Sequence, residues 1–139
     1  REAGADIPLI IENIYKARSL GATRLIGRSL EHLILAEEGK IALSYILQED
    51  FRELGALVED TEELINYTRE IKSVEIAIFL RQSEEEQFKI SFRSKNYADV
   101  AALASEFEGG GHVHASGGKI QAPLQVAIAR LLEAAAKKL

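Results

Sequence analysis

The sequence of 139 residues contains no cysteine, no methionine and no tryptophan, and only two prolines. Without cysteine, neither a disulfide framework nor a thiolate metal site can form. No apolar run approaches the roughly 20 residues that a membrane-spanning helix needs. The charged residues Arg1, Glu2 and Asp6 argue against a secretory leader at the start of the sequence. We therefore expect a cytoplasmic protein with no membrane partner.

Positive charge is in short supply, since the formal net charge is −5 and the pI is near 5.3. An acidic chain does not coat duplex DNA by bulk electrostatics, so any contact with nucleic acid must come from a local pocket. The length fits one domain, or one domain with a docking segment. Because the sequence begins with Arg1 and lacks methionine, we expect it to be a piece of a longer protein.

Hydrophobic periodicity predicts an α/β (α+β) fold, in which helices flank a mixed sheet of about four to five strands. Two helices are predicted before Gly39, the first capped by Asp6 and the second running to residue 38. A capping box formed by Asp60 and Glu63 predicts a further helix that runs to about Ile71. The remaining predicted strands cover residues 40–48, 74–81, 87–94 and 117–122, and the remaining predicted helices cover 49–55, 98–107 and 124–139.

The segment EGGGHVHASGG, residues 108–118, gathers five glycines and two histidines into eleven positions. Glycine accepts φ > 0 and lets the backbone approach a ligand closely, and consecutive amides can form an anion-binding nest. A helical turn beginning near His112 would add its positive end to the same field. The pattern indicates a pocket for phosphate or carboxylate, although the same glycines are also typical of a helix stop followed by a loop.

Other glycine-rich and histidine-rich sites fit this segment less well. It lacks the Gly-Lys-Ser/Thr ending of a P-loop, and it follows a predicted helix, whereas the dinucleotide fingerprint follows a strand. On a strand His112 and His114 would share a face, but no third metal ligand stands at a recognised spacing. We therefore predict no metal site in this chain.

The second candidate is SFRSK, residues 91–95, at the end of a predicted strand. The planar guanidinium of Arg93 suits phosphate. Ser91, Arg93 and Lys95 alternate with Phe92 and Ser94, which predicts one polar face; taken alone, the pattern is more often that of a solvated strand face.

Six further positions are interpreted without a binding role. Arg81, Lys89 and the acidic turn at residues 84–86 are interpreted as surface charges. His32 is interpreted as a surface or connector residue within a helix.

Together these motifs resemble a known family. The chain resembles the C-terminal, DHH-associated substrate-binding domain of DHH phosphoesterases. The resemblance rests on the segment FRSK, the short predicted helix after it, and the segment F-E-GGGH-xx-A-S-G. It is closest to the bifunctional oligoribonuclease/pAp-phosphatase (nanoRNase) branch of the RecJ-like superfamily. The resemblance implies that residues 39–139 are this domain and that residues 1–38 are a helical connector from a catalytic domain outside the chain. Glu108 is a departure, because this branch often has glycine there.

The resemblance also implies a set of residues that bind substrate and its phosphate. They are Ser91, Arg93, Ser94, Gly109, Gly110, Gly111, His112, Ala115 and Gly117. In this interpretation the arginine grips a phosphate with support from the two serines. The glycine amides and His112 line the nucleotide-phosphate pocket, and the last two residues of the set permit close approach.

In the family, aspartates and histidines of an N-terminal DHH domain hold two manganese ions, which activate water against a phosphodiester or phosphomonoester. The present sequence has no Asp-His-His motif. We therefore expect no catalytic residue, metal or other cofactor in this chain, and no activity from it alone. The expected partners are a short oligonucleotide or nucleotide bisphosphate and the DHH domain of the same protein, and the resemblance allows a homodimer.

Three alternatives stay open at the level of sequence. A RecJ-type single-strand exonuclease would be expected to show a more basic channel. The alanyl-tRNA synthetase group reuses the same domain after an editing domain. A non-enzymatic nucleotide sensor, cyclic-dinucleotide sensor or oligomerisation module would lack a DHH motif upstream.

Overall fold

The computed structural model describes residues 17–139, so the predicted helix capped by Asp6 lies outside the described residues. Helices and strands alternate along the described part. In chain order they are α1 (Leu20–Glu31), β1 (Ile34–Ala36), β2 (Ile41–Ile46), α2 (Gln48–Leu54), a 3₁₀ helix (Val58–Thr61), α3 (Leu64–Arg69), β3 (Ile76–Glu84), β4 (Gln87–Ser94), α4 (Val100–Ser105), β5 (Gly110–His112), β6 (Ala115–Gln121) and α5 (Leu124–Ala136).

Within these residues the strands form one six-stranded sheet in the order β1-β2-β3-β4-β6-β5. β2 and β3 are parallel, and every other neighbouring pair is antiparallel. The parallel pair needs a long crossover, which α2, the 3₁₀ helix and α3 supply. The predicted α/β class with a mixed sheet is therefore confirmed, with six strands instead of four to five.

The two additional strands correct the sequence-based prediction. We expected the second helix to reach residue 38, but α1 ends at Glu31 and Ile34 pairs with Leu43 of β2. We also considered a helical turn near His112, and the structure instead forms β5 there, paired with β6. Both strands have three residues, which is too short for a period of two to be recognised.

The prediction of a capping box formed by Asp60 and Glu63 was also wrong. The carboxylate of Asp60 accepts the backbone N–H of Leu57 at 2.8 Å and so begins the 3₁₀ helix rather than α3. α3 begins one turn later, at Leu64, and ends at Arg69. Pro123 stands at the N-terminal cap of α5, where a residue without an N–H is tolerated.

The sheet separates two apolar clusters because side chains alternate along each strand. Ile76, Ile78 and Leu80 point toward α4 and α5 and belong to the larger cluster. Ala77 and Phe79 point to the other face, where they meet residues of α1 and α3. Among the described residues, the buried members of this second cluster include side chains of β2 and β3 but none of β4, β5 or β6. The second face of those three strands is therefore less covered.

Glu75 anchors the loop that leads from β4 to α4. Its side chain is only 4% exposed and accepts the backbone N–H groups of Asn96, Tyr97 and Ala98 at 2.9, 2.8 and 2.9 Å. Burial raises the pKa of Glu75, but these hydrogen bonds outweigh it and hold the pKa below the ordinary value of 4.5. The loop is thereby fixed next to the start of β3.

The helix α1 is tied to the rest of the fold by charge and by stacking. The guanidinium of Arg28 contacts Asp50 and, at 2.8 Å, Glu53, both in α2. His32 stacks on Tyr45 with ring centroids 4.1 Å apart, and its Nδ1 lies 2.9 Å from the Tyr45 carbonyl oxygen. His32 therefore packs on β2, while the domain division at residues 38 and 39 stays a prediction.

Candidate functional site

The strand register brings most of the predicted binding residues to the less covered face of the sheet. Residues directly opposite each other on neighbouring strands point to the same face. The arginine row consists of Arg93, Ala115 and His112, and the serine row consists of Phe79, Ser91, Gly117 and Gly110. Two motifs that stand about 20 residues apart in the chain therefore meet side by side, because β4 pairs with β6 and β6 pairs with β5.

A third row on the same face was missed by sequence reasoning. Arg81 of β3 pairs with Lys89 of β4, which pairs with Lys119 of β6; we call these three residues the cationic row. Arg81 and Lys89 were interpreted as surface charges. The alternation of Lys89 with Ser91 and Arg93 could have placed Lys89 on the binding face, but the partners on β3 and β6 require the register.

The cationic row, Arg93 and most of the serine row line an open groove of about 710 Å³. Ala115, His112 and Gly110 lie on the same face of the sheet but are not part of the groove lining. Ile65 and Glu62, in and just before α3, contribute to its lining on one side, and Glu108 contributes on another. From the predicted set, Ser91, Arg93 and Gly117 line this groove directly. The face thus combines a hydroxyl, a guanidinium and exposed backbone.

Arg93 is a partly buried cation. Its Nη1 donates to the carbonyl oxygen of Phe92 at 2.8 Å, and none of the ion pairs among residues 17–139 involves it. Burial, and next the positive charge of Arg69, lower the pKa of Arg93 from its ordinary value. Arginine remains charged in spite of this shift. Two neighbouring cations create a positive potential that favours an anion.

Two glycines of the run are required by packing between backbones. The N–H of Gly109 donates to the Ala104 carbonyl oxygen at 3.0 Å and closes the end of α4. A Cβ on Gly109 would lie 1.9 Å from the carbonyl oxygen of Gly117. Gly111 has φ +147°, and a Cβ there would lie 2.7 Å from the Ala115 carbonyl oxygen. Because the Gly109 amide is already bonded, it is not available to an anion.

Gly110 differs from both of its neighbours. A Cβ on Gly110 would meet nothing within 4 Å, and its φ is not in the left-handed region. Neither packing nor backbone conformation therefore demands glycine at this position. Its place in the serine row, beside Gly117, leaves a shallow floor over which a ligand can approach the backbone closely.

Ser94 and His114 lie away from this groove. Ser94 is 5% exposed and alternates to the opposite face from Ser91 and Arg93. Its Oγ lies 2.9 Å from His114 Nδ1 and donates to the Val113 carbonyl oxygen at 3.1 Å. Ser94 thus holds the turn between β5 and β6, and through it the position of His112.

The predicted polar face also ends earlier than expected. β4 ends at Ser94, and Lys95 leaves the strand to donate from Nζ to the Ile71 carbonyl oxygen at 2.8 Å. Lys95 therefore does not continue the face that Ser91 and Arg93 share.

Glu108 stands at the rim of the groove with a backbone that suits glycine. Its φ is +53°, a left-handed conformation that costs a side-chain-bearing residue roughly 1–2 kcal/mol. Its Oε1 lies 3.9 Å from Lys119 Nζ, and the two side chains are 75% and 65% exposed. Such an exposed pair is weak, so Glu108 leaves most of the positive charge of the groove in place.

Within residues 17–139, no three histidine, aspartate or glutamate side chains come together in a group that could hold a metal ion. The same part of the chain has no helix long and apolar enough to cross a membrane.

Comparisons with known proteins identify the family and a similar fold. The family profile described as the DHHA1 domain matches residues 38–139, and the chain therefore belongs to the DHHA1 domain family. The DHH-associated resemblance noted in the sequence is confirmed. Among solved structures, an exopolyphosphatase-related protein from Bacteroides fragilis superposes with a TM-score of 0.84 at 31% identity, over 96% of this chain and 39% of that protein.

Two curated relatives are both described as "Bifunctional oligoribonuclease and PAP phosphatase NrnA". The Thermus thermophilus protein is 28% identical over 117 residues, which cover 84% of this chain and 34% of the relative. The Bacillus subtilis protein is 25% identical over 111 residues, covering 80% of this chain and 34% of the relative. The chain thus spans about a third of the length of the curated relatives it matches.

Proposed function

We propose that this chain is the substrate-binding part of a DHH phosphoesterase that degrades short oligoribonucleotides, dephosphorylates pAp, or does both. The observation that carries the proposal is Arg93, whose partly buried guanidinium faces an open groove beside Ser91 and Gly117. A planar cation next to a hydroxyl and exposed backbone is suited to a phosphate group. Membership of the DHHA1 family and the names of the relatives support the same substrate class.

In this proposal each residue has a defined part. Arg93 donates to two oxygens of one phosphate, and Ser91 donates to the same group from the adjacent row. His112, exposed at the end of the arginine row, donates from its imidazole. The backbones of Gly110 and Gly111 and the small residues Ala115 and Gly117 keep the floor shallow. Ser94 supports the phosphate site indirectly, by holding the turn that follows β5.

We further propose that the chemistry takes place on another part of the intact protein. The resemblance implies a DHH domain with two manganese ions, and no group among residues 17–139 has the donor set to hold a metal. Residues 1–38 would connect that domain to residues 39–139, and the chain alone would bind without turnover. The ligand and the DHH domain are the partners the proposal requires; a homodimer is compatible with it.

The test is calorimetric titration of the chain with pAp and with the dinucleotide pApA. We expect both to bind, and we expect Arg93→Ala and His112→Ala each to weaken binding by about 1.5–3 kcal/mol, because each removes a hydrogen bond to a charged group. Arg130→Ala is the matched control, since Arg130 is exposed on α5, on the other side of the sheet. If both variants bind like the wild type, this face of the sheet is not the phosphate site.

A hydrolysis assay with added manganese separates binding from catalysis. Binding without turnover is the expected result for a substrate-binding part. Turnover by the chain alone would contradict the proposal that catalysis lies elsewhere. Absence of binding by the wild type would favour the alternative of a structural or oligomerisation module.

A further inference from the structure

The cationic row is a separate electrostatic feature of the groove. It places Arg81, Lys89 and Lys119 directly opposite one another on three adjacent strands. Like charges in direct cross-strand pairs destabilise a sheet by about 0.2–1 kcal/mol per pair. The carboxylate of Glu108 at 3.9 Å from Lys119 is mostly exposed and offsets this repulsion only weakly. The row therefore has unbalanced positive charge at the floor of the groove.

The distance between the cationic row and the arginine row is set by the strand. Lys89 and Arg93 are four residues apart on β4, which at the usual rise of a strand is roughly 13 Å. That distance exceeds one internucleotide step. A ligand that contacted both rows would therefore place two phosphates there that are not adjacent in its chain.

The groove spans the two rows, and a second hollow adjoins it. Arg81, Lys89, Ser91 and Arg93 all line the groove of about 710 Å³. A neighbouring hollow of about 480 Å³ shares Lys89 and Lys119 with the groove and continues toward the turn between β3 and β4. An extended single strand can follow such a path without leaving the face of the sheet.

We infer that the cationic row is a second anion subsite, which takes a further phosphate of an oligonucleotide whose terminal phosphate lies at Arg93. The ligand class is a 5′-phosphorylated single strand of three or more nucleotides. This inference rests on the proposed function for the first subsite. It assigns the preference for length to Arg81, Lys89 and Lys119, and the recognition of a terminal phosphate to Arg93.

The experiment compares the affinity of the 139-residue chain for pAp and for the trinucleotide pApApA over a series of KCl concentrations. The test variant is the double substitution Arg81→Gln with Lys89→Gln. The matched control is Arg130→Gln with Lys137→Gln, which removes the same two charge types from exposed positions in and just after α5. Each variant is checked for an unchanged unfolding midpoint before titration.

We expect the test variant to bind pApApA about tenfold more weakly, the loss of a hydrogen bond to a charged group, while its affinity for pAp stays within about twofold of the wild type. The slope of log K against log salt for pApApA should fall by about 0.7, since one phosphate contact with a single strand is lost. The control should change neither quantity.

The outcomes separate this inference from the proposed function. A test variant that weakens pAp and pApApA equally, or weakens neither, overturns the second subsite while Arg93 keeps its proposed part. Unchanged pAp affinity in Arg93→Ala overturns the proposed function itself. A wild type that binds neither ligand at low salt overturns both.

Discussion

At the scale of the residue, the carboxylate of Glu75 has a structural role that the sequence around it does not predict. It receives three backbone N–H groups from residues 96–98 and so fixes the loop between β4 and α4. α4 in turn packs on β5 and β6, and the N–H of Val100 donates to the carbonyl oxygen of Val113 at 2.9 Å. The geometry of the groove therefore depends on a carboxylate that does not line it.

We expect Glu75→Gln to lower the free energy of unfolding at pH 7 by about 1.5–3 kcal/mol, because a neutral carbonyl oxygen in place of Oε2 accepts the three bonds more weakly than a carboxylate does, and the amide NH₂ cannot accept the bonds that Asn96 makes to Oε1. The folded pKa of Glu75 lies below the unfolded value of 4.5. Its contribution is therefore fully present above pH 4.5 and is lost as the pH falls through the folded pKa. The difference between variant and wild type should shrink in acid.

Urea denaturation at pH 7 and at a series of pH values below 4.5 measures the difference in the free energy of unfolding between the variant and the wild type. Glu84→Gln is the control, since Glu84 is exposed at the end of β3, next to the turn that leads to β4. Equal midpoints for the two variants at pH 7 would show that the charge of Glu75 adds nothing to the strength of the hydrogen bonds that it accepts from the loop.

Single residues also show where sequence reasoning stopped. Ser91 and Arg93 were predicted on one face of a strand, and the structure places them there. Lys89 belongs to the same alternation, but a lysine on a strand is most often a solvated charge, and nothing local distinguishes it. Only its pairing with Arg81 and Lys119 turns it into part of a cationic row. The role of Glu75 depends on a loop about 20 residues away and has no local signal.

At the scale of the element, two neighbouring glycines at the start of β5 should respond differently to the same substitution. Gly109→Ala should lower the free energy of unfolding by about 1–3 kcal/mol or more, because its Cβ would lie 1.9 Å from the Gly117 carbonyl oxygen. Gly110→Ala should leave stability within about 0.5 kcal/mol of the wild type, since its Cβ meets no atom within 4 Å. Its methyl group would instead stand in the serine row and weaken pAp binding.

Thermal unfolding and pAp titration of both variants test this pair. Each variant serves as the control for the other, because the substitution is the same and the positions are adjacent. A Gly110→Ala variant that binds pAp like the wild type would show that the ligand does not approach this part of β5.

Element by element, the length of the periodic pattern decided what could be predicted. The hairpin of β3 and β4 and the helices α2, α4 and α5 each have a pattern long enough to recognise, and all are found where expected. β1 and β5 are edge strands of three residues, and each is defined by its partner strand rather than by its own sequence. β5 contains Gly110, Gly111 and His112. Because this strand was not predicted, the alignment of His112 with Arg93 and of Gly110 with Ser91 could not be predicted either.

At the scale of the whole molecule, a net charge of −5 coexists with a cationic groove. The composition predicts a local pocket rather than a basic surface, and the two observations are compatible because net charge governs long-range attraction and not the field inside a groove. The class of fold could also be predicted, since it follows from the alternation of helices and strands. The less covered half of one sheet face could not be predicted from the sequence, because it depends on which strands the helices α1 and α3 cross.

A ligand that binds this groove in the folded chain alone must also stabilise the whole fold. Binding to the native state raises the free energy of unfolding by about 2.7 kcal/mol when the free ligand is a hundredfold above its Kd. We therefore expect pAp at that excess to raise the urea midpoint of the wild type and of Arg130→Ala. Arg93→Ala at the same pAp concentration should show a much smaller rise, because its Kd is higher. An equal rise in all three proteins would place the stabilising site outside the groove, because the charge of Arg93 would then contribute nothing to the linkage between binding and folding.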